Sequence, residues 1–239
     1  MNKIKYIVTS GCSFSKGQCM SFDKSAIELE EEELNFRYSK IFADGVGAQD
    51  INLAEGGGSN DRAFRKIYEW IQENPKKVKH SLFLIGFTSL HRQDLYFDYE
   101  KKRVKYSLLG DNELNGIYKD IDSKMLKTWD KVRFKYFYNE DIEREQLVMN
   151  AELLQTYIES KNSKINYFYA LITPEDYKWG RAPEDRDKSH YNDKRLNWYR
   201  PGGYDTWPDY IESCGRTPGG HPRKEEHIKL GKDLIKNYG

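Results

Sequence analysis

What this chain lacks narrows its class before any motif is read. No run of about 18 apolar residues occurs in the 239-residue sequence, so no transmembrane helix is expected. The start, Met1-Asn2-Lys3-Ile4-Lys5, leads directly into a short strand-like stretch. It has no long apolar core followed by a small-residue cleavage site, so no signal peptide is expected. Cysteine is scarce. Cys12, Cys19 and Cys214 are odd in number and lack metal-type spacing, which implies free thiols, a reducing compartment and a cytoplasmic location. Neither sign of charge dominates: 39 Lys and Arg against 38 Asp and Glu leave +1, which gives no electrostatic case for a nucleic-acid partner. His80, His91 and His190 have no carboxylate or cysteine at ligand spacing and no His-Glu-x-x-His occurs, so no metal is expected. Gly56-Gly57-Gly58-Ser59 lacks the Lys-Ser/Thr of a phosphate-binding loop and the full dinucleotide fingerprint, so no cofactor is expected either.

What is present is an alternation. Apolar runs at Lys3 to Thr9, Asp50 to Ala54, Ser81 to Phe87 and Ile165 to Ile172 read as strands. Between them lie helical stripes. Tyr38, Ile41, Phe42 and Val46 form one, Ala63, Ile67, Trp70 and Ile71 a second behind Ser59 as N-cap, and Leu147, Ala151, Leu154 and Ile158 a third. A last helix carries Ile228, Leu230, Leu234 and Ile235. Strands alternating with helices of this length predict an α/β fold: a three-layer α/β/α sandwich on a parallel sheet, within a single domain over 1–239. Two stretches break the alternation and are expected as long lid insertions, at about 90–139 and 173–220. The second holds five of the seven prolines and little periodicity. Glu30 to Glu33 read as a solvated run. Basic residues from Lys178 to Arg200, interleaved with Trp179, Tyr191, Trp198 and Tyr199, read either as a solvated lid or as a stacking surface.

The chemistry concentrates at the two ends. Gly11-Cys12-Ser13-Phe14-Ser15 follows the first strand, so Ser13 sits at a strand-to-helix turn. It is either a helix cap or a hydroxyl with backbone N–H groups around it. Asn52 to Asn60 contains a second such turn, where a glycine serves either as a plain turn or as a close backbone approach to a ligand. Gly220-His221-Pro222 places a histidine at the mouth of the last helix, with Pro222 suited to its first turn. A serine hydroxyl needs a base to become a nucleophile near neutral pH, and histidine has the pKa for that task.

On these residues the sequence resembles the SGNH (GDSL-type) hydrolase superfamily, particularly its compact bacteriophage members. Gly11-Cys12-Ser13-Phe14-Ser15 matches the Gly-Asp-Ser-x-Ser block with cysteine for aspartate. Gly57 aligns with the glycine after the second strand, and Gly86-Phe87-Thr88-Ser89 with Gly-x-Asn-Asp. Pro218 to Pro222 and His227 align with Asp-x-x-His-Pro and a later histidine. The resemblance implies that Ser13 is the nucleophile, that His221 is the base, and that the Ser13 and Gly57 N–H groups form the oxyanion hole. Thr88 replaces an asparagine donor and Pro218 the aspartate that would orient His221, so Asn60 is a substitute donor while Asp205 or Asp209 would orient the ring. The implied substrate is a small-molecule or glycan ester, in the host cytoplasm or virion if phage-encoded. The two missing residues also admit a degenerate fold that binds a virion or other protein partner.

Overall fold

A computed structural model describes residues 3–17, 34–90, 92–97, 102–107, 128, 131–132, 135–136, 138–170, 193–213 and 221–239. Among the described residues four strands make one parallel sheet: β1 (Tyr6–Ser10), β2 (Gln49–Asn52), β3 (Ser81–Phe87) and, after an antiparallel hairpin, β6 (Lys164–Tyr169), in the order β2-β1-β3-β6. The hairpin pairs β4 (Arg92–Phe97) with β5 (Lys102–Ser107). Among the described residues the helices that accompany them include α1 (Ser13–Lys16), α2 (Tyr38–Gly45), α3 (Asn60–Glu73), α4 (Glu140–Ser160), α5 (Trp207–Ser213) and α6 (Lys224–Tyr238).

Every residue of β3 is buried, as a parallel strand covered on both faces requires. Phe83, Ile85 and Phe87 join the α3 and α4 stripes on one face, while Leu82 and Leu84 join α2, α5 and α6 on the other. The expected stripes supply these contacts: Ala63, Ile67, Trp70 and Ile71 are all buried, as are Leu147, Ala151, Leu154 and Ile158. The sheet therefore has two cores and three layers, the α/β/α sandwich that the alternation predicts.

Parts of the two stretches expected as lids are described, and these pack onto the body. Within 193–213 the chain packs as part of the body. Asn197 O accepts from Tyr167 N–H at 2.9 Å, Tyr199 N–H donates to Tyr167 O at 2.8 Å, and Tyr169 bridges Thr206, so the segment lines the outer edge of β6. Trp207 and Tyr199 then bury against Phe168. Tyr199 and Trp207, which sit in a lid-like stretch of the sequence, are core residues here, and Trp198 packs half-buried against the core; Trp179 and Tyr191 lie outside the described residues. Within 90–139 the β4–β5 hairpin is pinned to α3, because Asp94 accepts from Arg62 Nε at 2.9 Å and from Arg65 Nη2 at 3.1 Å. Residues 91, 98–101, 108–127, 129–130, 133–134 and 137 of the first segment and 173–192 and 214–220 of the second lie outside the described ones, as do Cys19, Cys214, Pro218 and the Glu30 to Glu33 run.

Pro222 is a smaller correction. It precedes the N-cap Arg223 instead of opening the helix, and Glu226 reaches back to accept from the Arg223 N–H at 2.6 Å.

Candidate active site

The rim at the C-terminal ends of the strands is where β1 turns outward to β2 and β3 to β6, the switch point at which open α/β sheets hold ligands. Ser13 leaves β1 there, and Thr88 leaves β3. Gly11 makes the turn feasible. Its φ is +148°, and a Cβ at this position would lie 2.5 Å from Ser15 Oγ and 2.7 Å from Gly86 O. Cys12, extended at φ −97°, is the N-cap of α1, so Ser13 is the first helical residue and not the cap. Its N–H belongs to the group that has no partner inside the helix.

His221 Nε2 lies 2.8 Å from Ser13 Oγ, across 208 residues of sequence. With the imidazole proton on Nδ1, Nε2 accepts from the hydroxyl. The ring is placed by packing: Phe14 lies 5.0 Å from it centre to centre at 38°, and Phe14 in turn meets Trp207 edge-on at 6.3 Å. Phe14 and Trp207 are contributors the sequence reading missed. Phe14 carried a usable signal, as the residue next to the proposed nucleophile.

The glycine turn abuts the same place. Pairing continues past β2, with Leu53 N–H donating to Thr9 O at 2.8 Å and Glu55 N–H to Gly11 O at 3.2 Å. This sets the 55–58 turn against Gly11. Gly57 adopts φ +67°, a conformation that glycine takes without strain. Glu55 and Ser59 hold the turn from either side. Ser59 Oγ accepts from Arg62 N–H at 3.1 Å, and Arg62 Nη1 donates to Glu55 Oε2 at 2.5 Å. Burial pushes the Glu55 carboxyl up, but hydrogen bonds and charge from Arg62 and Lys66 outweigh it and hold the group at about 2.

Asn60 holds the backbone of Thr88. Its Nδ2 donates to Thr88 O at 3.0 Å and its Oδ1 accepts from Thr88 N–H at 2.9 Å. The carboxamide thus clasps the backbone of Thr88. Arg92 Nη1 donates to Thr88 Oγ1 at 3.2 Å, which occupies the oxygen and leaves the hydroxyl proton to point elsewhere. Of the two carboxylates, Asp205 pairs with Arg200 at 3.5 Å. Asp209 is buried in the first turn of α5, its backbone N–H donating to Thr206 Oγ1 at 3.1 Å.

His227, the later histidine, is fully buried behind this site. Its Nδ1 accepts from Tyr38 N–H at 3.2 Å, and its ring stacks on Tyr38 and meets Trp207 edge-on. Burial, helped by the charge of His221, pulls its pKa down to about 3, so it stays neutral and packs as an aromatic. Among the described residues no group of three or more His, Cys, Asp and Glu is placed to hold a metal ion, and no helix is long and apolar enough to cross a membrane.

No family model and no curated protein matches the sequence. Solved structures do. TesA aligns over 98% of this chain and 99% of its own at TM-score 0.51 and 9% identity. A G-D-S-L family protein from Desulfitobacterium hafniense aligns over 97% and 98% at TM-score 0.50 and 9% identity. The acetyl xylan esterase Est2A from the rumen bacterium Butyrivibrio proteoclasticus matches at TM-score 0.50 and 10% identity; the alignment covers 98% of this chain but only 63% of that enzyme. The fold is that of the SGNH hydrolases.

Proposed function

We propose that this chain is a serine ester hydrolase that deacylates carbohydrate or another small ester. The 2.8 Å contact between Ser13 Oγ and His221 Nε2 carries the reading, because no element of local structure requires those two residues to meet. Ser13 Oγ attacks the ester carbonyl while His221 takes its proton. The oxyanion gathers the N–H groups of Ser13 and Gly57 and the Thr88 hydroxyl, which Arg92 orients by engaging its oxygen. Collapse returns the proton to the leaving alcohol, and water activated by His221 then releases the acyl group. We assign the orienting carboxylate to Asp209, since Arg200 draws Asp205 aside.

Turnover of p-nitrophenyl acetate tests the reading. Ser13→Ala and His221→Gln each lower kcat by at least about 10³-fold, since groups that act as a unit fail together. Asp209→Asn lowers kcat by up to about 10⁴-fold, the scale seen when a triad loses its orienter, while Asp205→Asn leaves kcat unchanged. Wild-type protein that is folded yet turns over no short ester contradicts the reading. It favours instead a degenerate fold that binds a protein partner, for which Thr88 and Pro218 at the family's asparagine and aspartate positions are the motive.

A further inference from the structure

The β4–β5 hairpin reaches both arms of the proposed oxyanion hole from one face of one strand. Arg92 and Asp94 lie two residues apart on β4, so their side chains leave the same face about 7 Å apart. Arg92 Nη1 donates to Thr88 Oγ1 at 3.2 Å. Asp94 takes the other route, with its side chain only 3% exposed. Its Oδ1 accepts from Ser59 Oγ at 3.2 Å and from Arg62 Nε at 2.9 Å, and its Oδ2 accepts from Arg65 Nη2 at 3.1 Å. Ser59 is the N-cap of α3 and follows Gly58 directly. Arg62 carries the contact on, because its Nη1 donates to Glu55 Oε2 at 2.5 Å. Glu55 in turn accepts the Gly58 N–H on its backbone oxygen at 3.0 Å. One buried carboxylate therefore holds both ends of the turn that contains Gly57.

Attachment of the hairpin is a poor reason for this arrangement. A two-stranded hairpin is marginal alone and gains most from apolar packing. Burying a carboxylate with two guanidinium groups gives up much of their attraction to lost hydration, so apolar residues of similar volume would hold the hairpin as firmly. What charged hydrogen bonds add is direction, since each fixes an angle as well as a distance. The turn has need of it. Gly56, Gly57 and Gly58 carry no side chains with which to brace themselves, and Gly57 stands at φ +67°. An oxyanion donor is effective only when aimed to within hydrogen-bond distance, about 3 Å, of where the charge develops. A turn of three glycines keeps such an aim only when its two ends are held from outside.

We propose that Asp94 is a positioning residue for the oxyanion hole. Through Ser59, Arg62 and Glu55 it sets the Gly57 turn, while Arg92 on the same strand face sets Thr88, so the hairpin fixes the spacing between the two donors. The inference rests on the esterase reading for what those donors do, and it gives a part in the reaction to an element remote from Ser13 in sequence.

Inhibition by phenylboronic acid reads the hole independently of how many molecules are folded. Ser13 Oγ bonds to the trigonal boron, its proton passes to His221, and a boronate oxygen takes the place of the oxyanion. Asp94→Asn is expected to raise Ki about tenfold and to lower kcat on p-nitrophenyl acetate by the same factor with KM unchanged, a smaller loss than that of a whole donor. Asp94→Glu, which keeps the carboxylate, recovers part of both. Arg65→Gln strips Asp94 of a partner that does not touch the turn, so it lowers the denaturation midpoint and leaves Ki as it was. Glu55→Ala, at a side chain 31% exposed, cuts the last link and raises Ki likewise, which keeps the test open if Asp94→Asn does not fold. Activity lost in Asp94→Asn with Ki unchanged reports fewer folded molecules and overturns the positioning role. Wild-type protein that neither turns over ester nor binds the boronic acid overturns the esterase reading and this inference with it. Wild-type protein that does both, with Asp94→Asn and Glu55→Ala equal to it, overturns the positioning role alone.

Discussion

Thr88 shows what a single position contributes at this rim. It is 2% exposed, its backbone is held by the Asn60 carboxamide 28 residues away, and its hydroxyl oxygen is taken by Arg92. Thr88→Val keeps the shape and removes the proton, so kcat falls by about 10²-fold on a short ester, the lower end of the range for one oxyanion donor. Asn60→Ala leaves two buried backbone groups of Thr88 without partners. It therefore costs about 2 kcal/mol of stability as well as activity, a combination that chemical denaturation and turnover together reveal. Ser13 and His221 were legible in sequence because each sits in a short motif at a predictable turn. The clasp was not, because it depends on β3 lying beside β1 and α3 starting above both, which no local pattern encodes. The same holds for Asn60, whose hydrogen bonds to the residue after β3 are set by the neighbouring strand and not by its own stretch of chain.

At the scale of elements, buried charge does what apolar periodicity does elsewhere. The β4–β5 hairpin has no clean apolar face to announce it; it is tied to α3 through Asp94, whose side chain is 3% exposed against Arg62 at 10%. Arg62→Ala strips the first partner from that carboxylate and releases Glu55 and the glycine turn. The expected loss is about 3 kcal/mol in the denaturant midpoint analysis, the low end for breaking a buried pair because Arg65 still reaches Asp94. Helix α6 carries a different constraint. A Cβ on Gly231 would lie 2.8 Å from Ile41 Cβ and 3.0 Å from Tyr38 O, so α6 and α2 touch nearly backbone to backbone. Gly231→Ala improves helix propensity by about 1 kcal/mol in isolation, yet overpacking here costs about 1–3 kcal/mol. Thermal unfolding is expected to show net destabilisation. The helical stripes of α3 and α4 were readable because their apolar residues recur at helical spacing. The segment 193–213 was not, since Trp198, Tyr199 and Trp207 belong to an irregular stretch with isolated bridges to β6 and to a short helix, which pack against β6 and the sheet behind it.

For the molecule as a whole, the turn after β1 and the approach to α6 meet at one rim, with His221 Nε2 2.8 Å from Ser13 Oγ. The fold class was readable from strand-helix alternation alone, whereas the packing that joins α6 to the nucleophile turn was not. That packing includes His227, which gives the fold a pH dependence of known sign. The unfolded chain takes up a proton on this imidazole at the ordinary histidine value near 6.5, while the folded chain does so only near 3. Stability from this group is therefore full above about pH 6.5 and declines as pH falls toward 3, by about 2 kcal/mol at pH 5. Urea denaturation at pH 7 and pH 5 reads the decline, and His227→Gln flattens it whatever its own effect on stability.

The central claim is that folding makes the Ser13 hydroxyl and the His221 imidazole one chemical unit. A fluorophosphonate reagent applied to folded protein near pH 8, with the adduct located by peptide mass spectrometry, tests it most directly. The account predicts a single adduct on Ser13 that His221→Gln suppresses. No adduct on Ser13, or equal labelling with and without His221, contradicts it.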